Sequence, residues 1–327
     1  GTIGKVLLIP NNAEKGVINP RLLRLSFDKS KISPYFAMFY LETTKVANTL
    51  QSWSQGGTMG VLNADIVKKL VFPVPQLEEQ QKIASFLSAV DERISKLQRK
   101  LELLQTYKRG VMQKLFSQEL RFKQELRFKQ EDGSSFPDWE ERRLGDVLEI
   151  ERGGSPRPIS AYITKASDGI PWIKIGDIAS DARYIESTSE KIKPSGVKNS
   201  REIFPGDFVL SNSMSFGRPY ISKIYGCVHD GWLVLRNSKQ ILTSNFLYEL
   251  LSSENLKRKF LAAAAGSTVK NLKSETVKAV FVAVPTSAEQ EKIANFLYSI
   301  DSKINAVNQQ IALTEKFKKG LLQQMFV

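Results

Sequence analysis

Apolar residues recur at alternating steps of four and three along two long stretches of this chain. The first series runs Ile83, Leu87, Val90, Ile94, Leu97, Leu101 and Leu104, followed by Val111 and Leu115. The second runs Ile293, Leu297, Ile300, Ile304, Val307 and Ile311, followed by Leu321 and Met325. A repeat of 3.5 residues predicts long α-helices with a narrow seam that pairs with another helix. Both seams break at the same point, at Lys108 and Lys318, and the second carries Thr314 where the first has Leu104. A polar seam residue costs stability and can fix register. Pro75 and Pro285 stand just before the helices, where a missing N–H is harmless. Acidic residues follow (Glu78, Glu79; Glu289, Glu291) and basic ones close each helix (Lys108, Arg109, Lys114; Lys316, Lys318, Lys319), which suits the helix dipole.

The two stretches are copies. Pro75–Phe116 and Pro285–Phe326 align without a gap at a separation of 210 residues, with 15 of 42 positions identical. The identities include Glu79/Glu289, Gln80/Gln290, Phe86/Phe296, Asp91/Asp301 and Gly110/Gly320. So long a period exceeds a solenoid unit and implies two domain-sized modules, each closed by the same helix. The expected pairing is between the two helices, antiparallel, as a rod of roughly 60 Å. The competing arrangement packs each helix on its own module.

The second module, residues 139–285, alternates short apolar runs with loops rich in Gly, Pro, Ser and Asn. Strands are expected at Gly145–Ile150, Trp172–Ile175, Asp207–Leu210, Gly231–Leu235 and Ala279–Val284, with a helical stretch over Ser244–Leu261. The fold class is α+β with non-local strand pairing. Residues 1–75 repeat only the second half of that plan: Pro34–Leu50 matches the helical stretch, Gly57–Leu62 a turn, and Val71–Pro75 the last strand. About 75 residues matching Trp139–Ser213 have no counterpart, so the first module is expected to lack sheet partners and to be a truncated or partly represented domain. Helices occupy residues 76–117 and 286–327. The connector, 118–138, holds QELRFK twice in succession, at Gln118–Lys123 and Gln124–Lys129; it is either a spacer or a neutral duplication in a loop.

Charge sharpens this picture. The chain of 327 residues carries a net +13. Residues 1–75 hold +5 and residues 141–285 hold +6, so the positive charge sits mainly in the modules. A basic balance attracts phosphate backbone and also serves solubility. The single cysteine, Cys227, excludes an internal disulfide and fits a reducing cytoplasm. No run of about 18 apolar residues predicts a membrane span, and no signal peptide is legible.

Catalytic chemistry is hard to find. The one histidine, His229 in VHDGW, reads as a turn or packing residue. Neither a metal-ligand pattern nor a P-loop is present. No catalytic residue and no metal ligand is assigned. Binding features are clearer. ERGGSPRP (Glu151–Pro158) places Arg152, Gly153, Ser155 and Arg157 directly after a strand, where arginine can fork onto guanine or clamp phosphate. SNSMSFGR supplies Asn212, Ser213, Ser215 and Arg218, and GSTVKNLK supplies Lys270 and Asn271; Lys174 stands beside Trp172. Each of these loops also reads as an ordinary turn.

The order of variable module, P-x-x-x-E-Q-x-x-I-A-x-F-L helix, second module and second helix resembles the specificity subunit of type I DNA restriction–modification systems. The matching helix stretches are Pro75–Leu87 and Pro285–Leu297; FPDWEERRLGDV, RGGSP, IPWIKIGDI and GDFVLSNS resemble the opening and middle of a target recognition domain. That resemblance implies a non-catalytic, cytoplasmic prokaryotic DNA reader. Each recognition domain would read half of a bipartite site in double-stranded DNA. The helices would dock two modification (methyltransferase) subunits, which carry the S-adenosylmethionine; this chain would bind no cofactor. Restriction subunits would join the complex. The alternative is a coiled-coil assembly or regulatory protein that binds restriction–modification subunits without reading DNA.

Overall fold

The computed structural model describes residues 4–10, 12–20, 22–54, 62–117, 128–179, 182–212, 217–264 and 272–326. The chain forms two compact units, one of residues 1–105 with 303–327 and one of residues 106–302. The long helices α4 (Leu77–Ser117) and α9 (Ser287–Met325) each contribute to both.

In the first unit, α1 (Pro34–Leu41), α2 (Thr44–Ser54) and α3 (Ala64–Lys68) precede α4. The helical stretch expected from Pro34 to Leu50 is thus broken at Glu42 and Thr43, where the Thr43 hydroxyl donates to Tyr40 O and accepts the Val46 N–H. Phe36, Phe39, Tyr40, Leu41, Val46 and Leu50 share a core with Leu87, Leu322 and Phe326. Phe36 lies 5.2 Å from Phe326, and Tyr40 meets Phe72 edge-on at 4.5 Å. Ile83 and Leu87 share this core with Leu321, Leu322 and Met325, while Asp91 meets Lys318. Within this unit the two helices therefore run antiparallel. Lys318 is the seam interruption, and its ammonium bridges Asp91 at 2.8 Å and Glu42 at 3.1 Å. Burial alone would lower its pKa, but the bonds to Asp91 and Glu42 outweigh it and hold the pKa above the ordinary lysine value.

The second unit carries the sheets. These are β1 (Glu140–Arg143), β2 (Glu149–Arg152), β3 (Ile163–Thr164), β4 (Ile170–Ile173), β5 (Tyr184–Ile185), β6 (Glu190–Ile192), β7 (Arg201–Ile203), β8 (Phe208–Ser211), β9 (Pro219–Ser222), β10 (Gly226–Val228), β11 (Trp232–Arg236) and β12 (Phe281–Val284). One five-stranded sheet has the order β3-β6-β4-β10-β7 and another β2-β11-β8-β9-β5, and β1 pairs with β12. Between the sheets, Trp232, Tyr220, Ile173, Val209 and Val234 form the core. The helices are α5 (Leu144–Val147), α6 (Ser244–Ser252), α7 (Glu254–Ala264) and α8 (Ser274–Lys278). The strand expected at Gly145–Ile150 is corrected: it opens as a helical turn, because Leu144 and Val147 are both fully buried and lie three residues apart, and β2 begins at Glu149. The strand expected at Trp172–Ile175 likewise ends at Ile173, and a 3₁₀ turn follows.

The identical glutamines of the repeat do identical work. Gln80 accepts the Ser33 N–H at 2.8 Å and donates to Lys31 O and Pro75 O. Gln290 accepts the Thr243 N–H at 2.7 Å and donates to Ile241 O and Pro285 O. All six partners keep the 210-residue offset. A buried amide satisfied on three sides fixes how each long helix starts against the loop leading into its module.

Segments of the first unit that match strands of the second find no strand partner among the described residues. In the second unit β12 is zipped to β1, and Val284 is 7% exposed. The matching Val71–Pro75 segment forms no strand, and Val74 is 53% exposed. Val17, at the position of buried Cys227, is fully exposed, as Leu23 and Leu25 are in part. Strand-forming sequence without a partner stays extended and open to solvent.

Seam burial follows the heptads. Val90, Val307, Ile293, Leu297 and Ile300 are buried and Ile94, Leu97, Leu101, Ile304 and Ile311 half-buried, while most of the positions between are exposed. Among the described residues no helix is long and apolar enough to cross a membrane.

Candidate nucleic-acid interface

The second unit gathers its arginine-rich loop around a single turn. β2 ends at Arg152, and the chain passes into the Gly153–Pro158 loop beside the Val228–Trp232 connection of β10 to β11. Gly153 donates its N–H to Trp232 O at 2.8 Å, and Gly154 donates to Val228 O at 3.2 Å. A Cβ on Gly153 would stand 2.1 Å from the His229 carbonyl oxygen, so no side chain fits there. Its glycine therefore serves the approach of the protein to itself.

Asp230 is the hub. Its carboxylate accepts the Ser155 hydroxyl at 2.8 Å and the Arg157 Nη2 at 3.2 Å. Its backbone carbonyl accepts Arg152 Nε at 3.2 Å and Asn212 Nδ2 at 2.8 Å. Four of the residues selected from the sequence (Arg152, Ser155, Arg157 and Asn212) thus converge on one that was not. Burial alone would raise the Asp230 pKa, but the Ser155 hydroxyl, its own N–H and Arg157 hold it below the ordinary carboxylate range. Arg201, also unforeseen, donates from Nε to the Arg152 carbonyl.

Two of the selected residues take different roles. Asn212 is 3% exposed; its side chain donates to the Asp230 carbonyl and its backbone carbonyl accepts Leu272 N–H at 3.1 Å, so it ties loops together and is buried away from solvent. Lys174 places its ammonium 2.8 Å from Glu190, and that bond, more than its other interactions, raises its pKa. Its charge is thereby neutralised locally. Arg218 is half-buried and its N–H bonds the Ser211 hydroxyl. Ser213, Ser215, Lys270, Asn271 and the Gly57–Val61 turn lie outside the described residues, as does nearly all of the QELRFK duplication.

His229 packs between Trp172 and Trp232 and accepts the Gly231 N–H at 2.8 Å. Burial lowers its pKa, against the pull of Asp230. This is the turn-and-packing role read from the sequence. The Cys227 thiol is buried and its pKa is pushed up to about 11 by that burial, which leaves it inert.

A second polar cluster joins α4, α9 and α6. Lys108, the other seam interruption, lies 2.7 Å from Asp301 and 3.3 Å from Glu249, and Arg183 approaches the far oxygen of Glu249 at 3.6 Å. Glu249 is 1% exposed. Burial raises its pKa, with Lys108 opposing, Asp301 adding and Arg183 opposing.

An α+β module with an arginine-rich loop tied to Asp230, continuous in sequence with paired long helices, defines a recognition scaffold. The model of the type I restriction modification DNA specificity domain matches residues 1–105 and 137–315. The putative type I restriction enzyme MjaX specificity subunit of Methanocaldococcus jannaschii is 28% identical over 98% of this chain and 73% of its own length. The MjaVIII specificity subunit of the same organism is 26% identical over 94% of this chain and 73% of its own. Among solved structures, one from work on assembly and conformational transition of the type I R-M system matches with a TM-score of 0.62 at 21% identity, over 91% of this chain and 72% of the other. The HsdS subunit from Thermoanaerobacter tengcongensis matches at 0.53 and 20% identity, over 90% and 70%. The chain belongs to the type I restriction modification DNA specificity domain family. As a specificity subunit it is a component of restriction–modification complexes and not itself an enzyme.

Proposed function

We propose that this chain selects the DNA sequence on which a type I restriction–modification complex acts, each recognition domain reading half of a bipartite site. The observation that supports this most is the Arg152–Ser155–Arg157 loop, tied to Asp230 in the second module. Rigid donors at fixed spacing suit base edges, whereas phosphate contacts tolerate loose ones. In this reading residues 1–75 correspond to the C-terminal half of a recognition domain and 139–285 to a second one, with helices over 76–117 and 286–327 and a connector over 118–138 whose duplicated hexamer adjusts the spacing.

The paired helices dock two modification subunits, and restriction subunits join that core. S-adenosylmethionine is held by the modification partners, and this chain supplies position alone. The setting is the prokaryotic cytoplasm, consistent with a lone cysteine that is buried and unpaired.

Salt separates this reading from a protein-binding scaffold of similar shape. A reader neutralising about 6–10 phosphates loses about 10³–10⁵-fold in affinity between roughly 50 and 200 mM salt. Titration of the purified chain with duplex DNA across that range is expected to show such a fall. A flat response favours the assembly or regulatory protein.

A further inference from the structure

We propose that Arg157 and Asp230 together read one G·C base pair in the major groove, the arginine on guanine and the carboxylate on cytosine. This rests on the DNA-reading function proposed above and goes beyond it by naming the base pair and both contacts.

The two side chains offer a donor fork and an acceptor side by side. Arg157 gives Nη2 to Asp230 at 3.2 Å, and its side chain is 71% exposed, so the rest of the guanidinium faces solvent. The Asp230 side chain is 43% exposed, and Ser155 pins its other oxygen at 2.8 Å. The turn beneath is held by Arg152 and Asn212 on the Asp230 carbonyl. The carboxylate therefore has a fixed direction and open acceptor capacity beside an accessible arginine.

Three ligand chemistries compete for such a pair. A phosphate on the exposed face of Arg157 would sit beside the Asp230 carboxylate, anion against anion, so the pair is a poor phosphate clamp. An A·T pair alternates acceptor, donor and acceptor across the groove and offers the fork no two adjacent acceptors. A G·C pair presents guanine N7 and O6 as adjacent acceptors and then the cytosine N4 amino donor. That order matches fork followed by carboxylate. It also explains why a basic loop keeps an acid at its centre.

The test is selection of duplexes from a random-sequence pool by the full chain and by Arg157→Ala, Asp230→Ala and Asp230→Asn. The unsubstituted chain is expected to enrich a half-site containing a fixed G·C pair. Both Arg157→Ala and Asp230→Ala should lose about 10-fold or more of the preference at that one position and keep the rest of the motif. Asp230→Asn keeps the side-chain shape and an oxygen for Ser155; it should lose the same preference while melting like the parent chain. The assignment is overturned if the two residues affect different positions, if the fixed pair survives their loss, or if every position weakens equally, which would make Asp230 a loop tie. Enrichment of no motif by the unsubstituted chain would overturn the DNA-reading function itself, a distinguishable result.

Discussion

Lys108→Met is expected to destabilise the second unit by about 3–5 kcal/mol at neutral pH, the cost of leaving a buried carboxylate without its partner. Glu249 is 1% exposed, and neither of its oxygens has a hydrogen-bond partner of normal geometry, so its charge is balanced by ion pairs alone. Removing Lys108 leaves Arg183 at 3.6 Å as its remaining cation. The loss should depend on pH in a defined direction. The Glu249 pKa is already above the ordinary carboxylate value of 4.5 because of burial, and without Lys108 it rises further. Stability of the variant then falls as pH rises above that ordinary value, and the deficit shrinks as pH falls and Glu249 takes up a proton. Urea unfolding followed by the fluorescence of Trp139, Trp172 and Trp232 reads this, and adding Glu249→Gln should recover most of the loss. A small or pH-independent deficit would refute the role given to Lys108. Lys318→Met is the contrasting case: Asp91 and Glu42 are 38% and 31% exposed, so water screens them and a cost of about 1 kcal/mol or less is expected.

Leu97→Glu combined with Val307→Glu is expected to part the helices and abolish capture of modification subunits. Both positions lie on the seam, Val307 buried and Leu97 half-buried. Each substitution forfeits about 1.5–3 kcal/mol of apolar burial and brings a carboxylate into a low-dielectric strip. Together these approach the lower end of the roughly 5–15 kcal/mol that holds a domain folded. Circular dichroism melting and co-purification with a modification subunit measure the two consequences. An unchanged melt with intact capture would mean that the seam does not hold the helices.

The helices were legible because a 3.5-residue period is local and repeats. The polar breaks at Lys108 and Lys318 were legible as register devices for the same reason, although their carboxylate partners on the modules, Glu249 and Glu42, were not. Nothing in sequence links residues 141 or more positions apart. The sheets were only partly visible, since β3 and β5 are two residues long and β2 pairs with a strand about eighty residues away. Gly145 misled because an apolar run over one helical turn looks like a strand until Leu144 and Val147 are seen on one face. At the interface, the glycine–arginine loop stood out by composition. Asp230 did not, because a search for DNA contacts looks for positive charge. The signal was present in VHDGW, where the aspartate mattered more than the histidine.

The most direct measurement is the methylome of a prokaryotic host carrying the modification subunits, with and without this chain. The function proposed here predicts a bipartite methylated motif with a fixed gap that appears only when the chain is present and changes when Arg157 or Asp230 is replaced. An identical methylome in the two strains would contradict it.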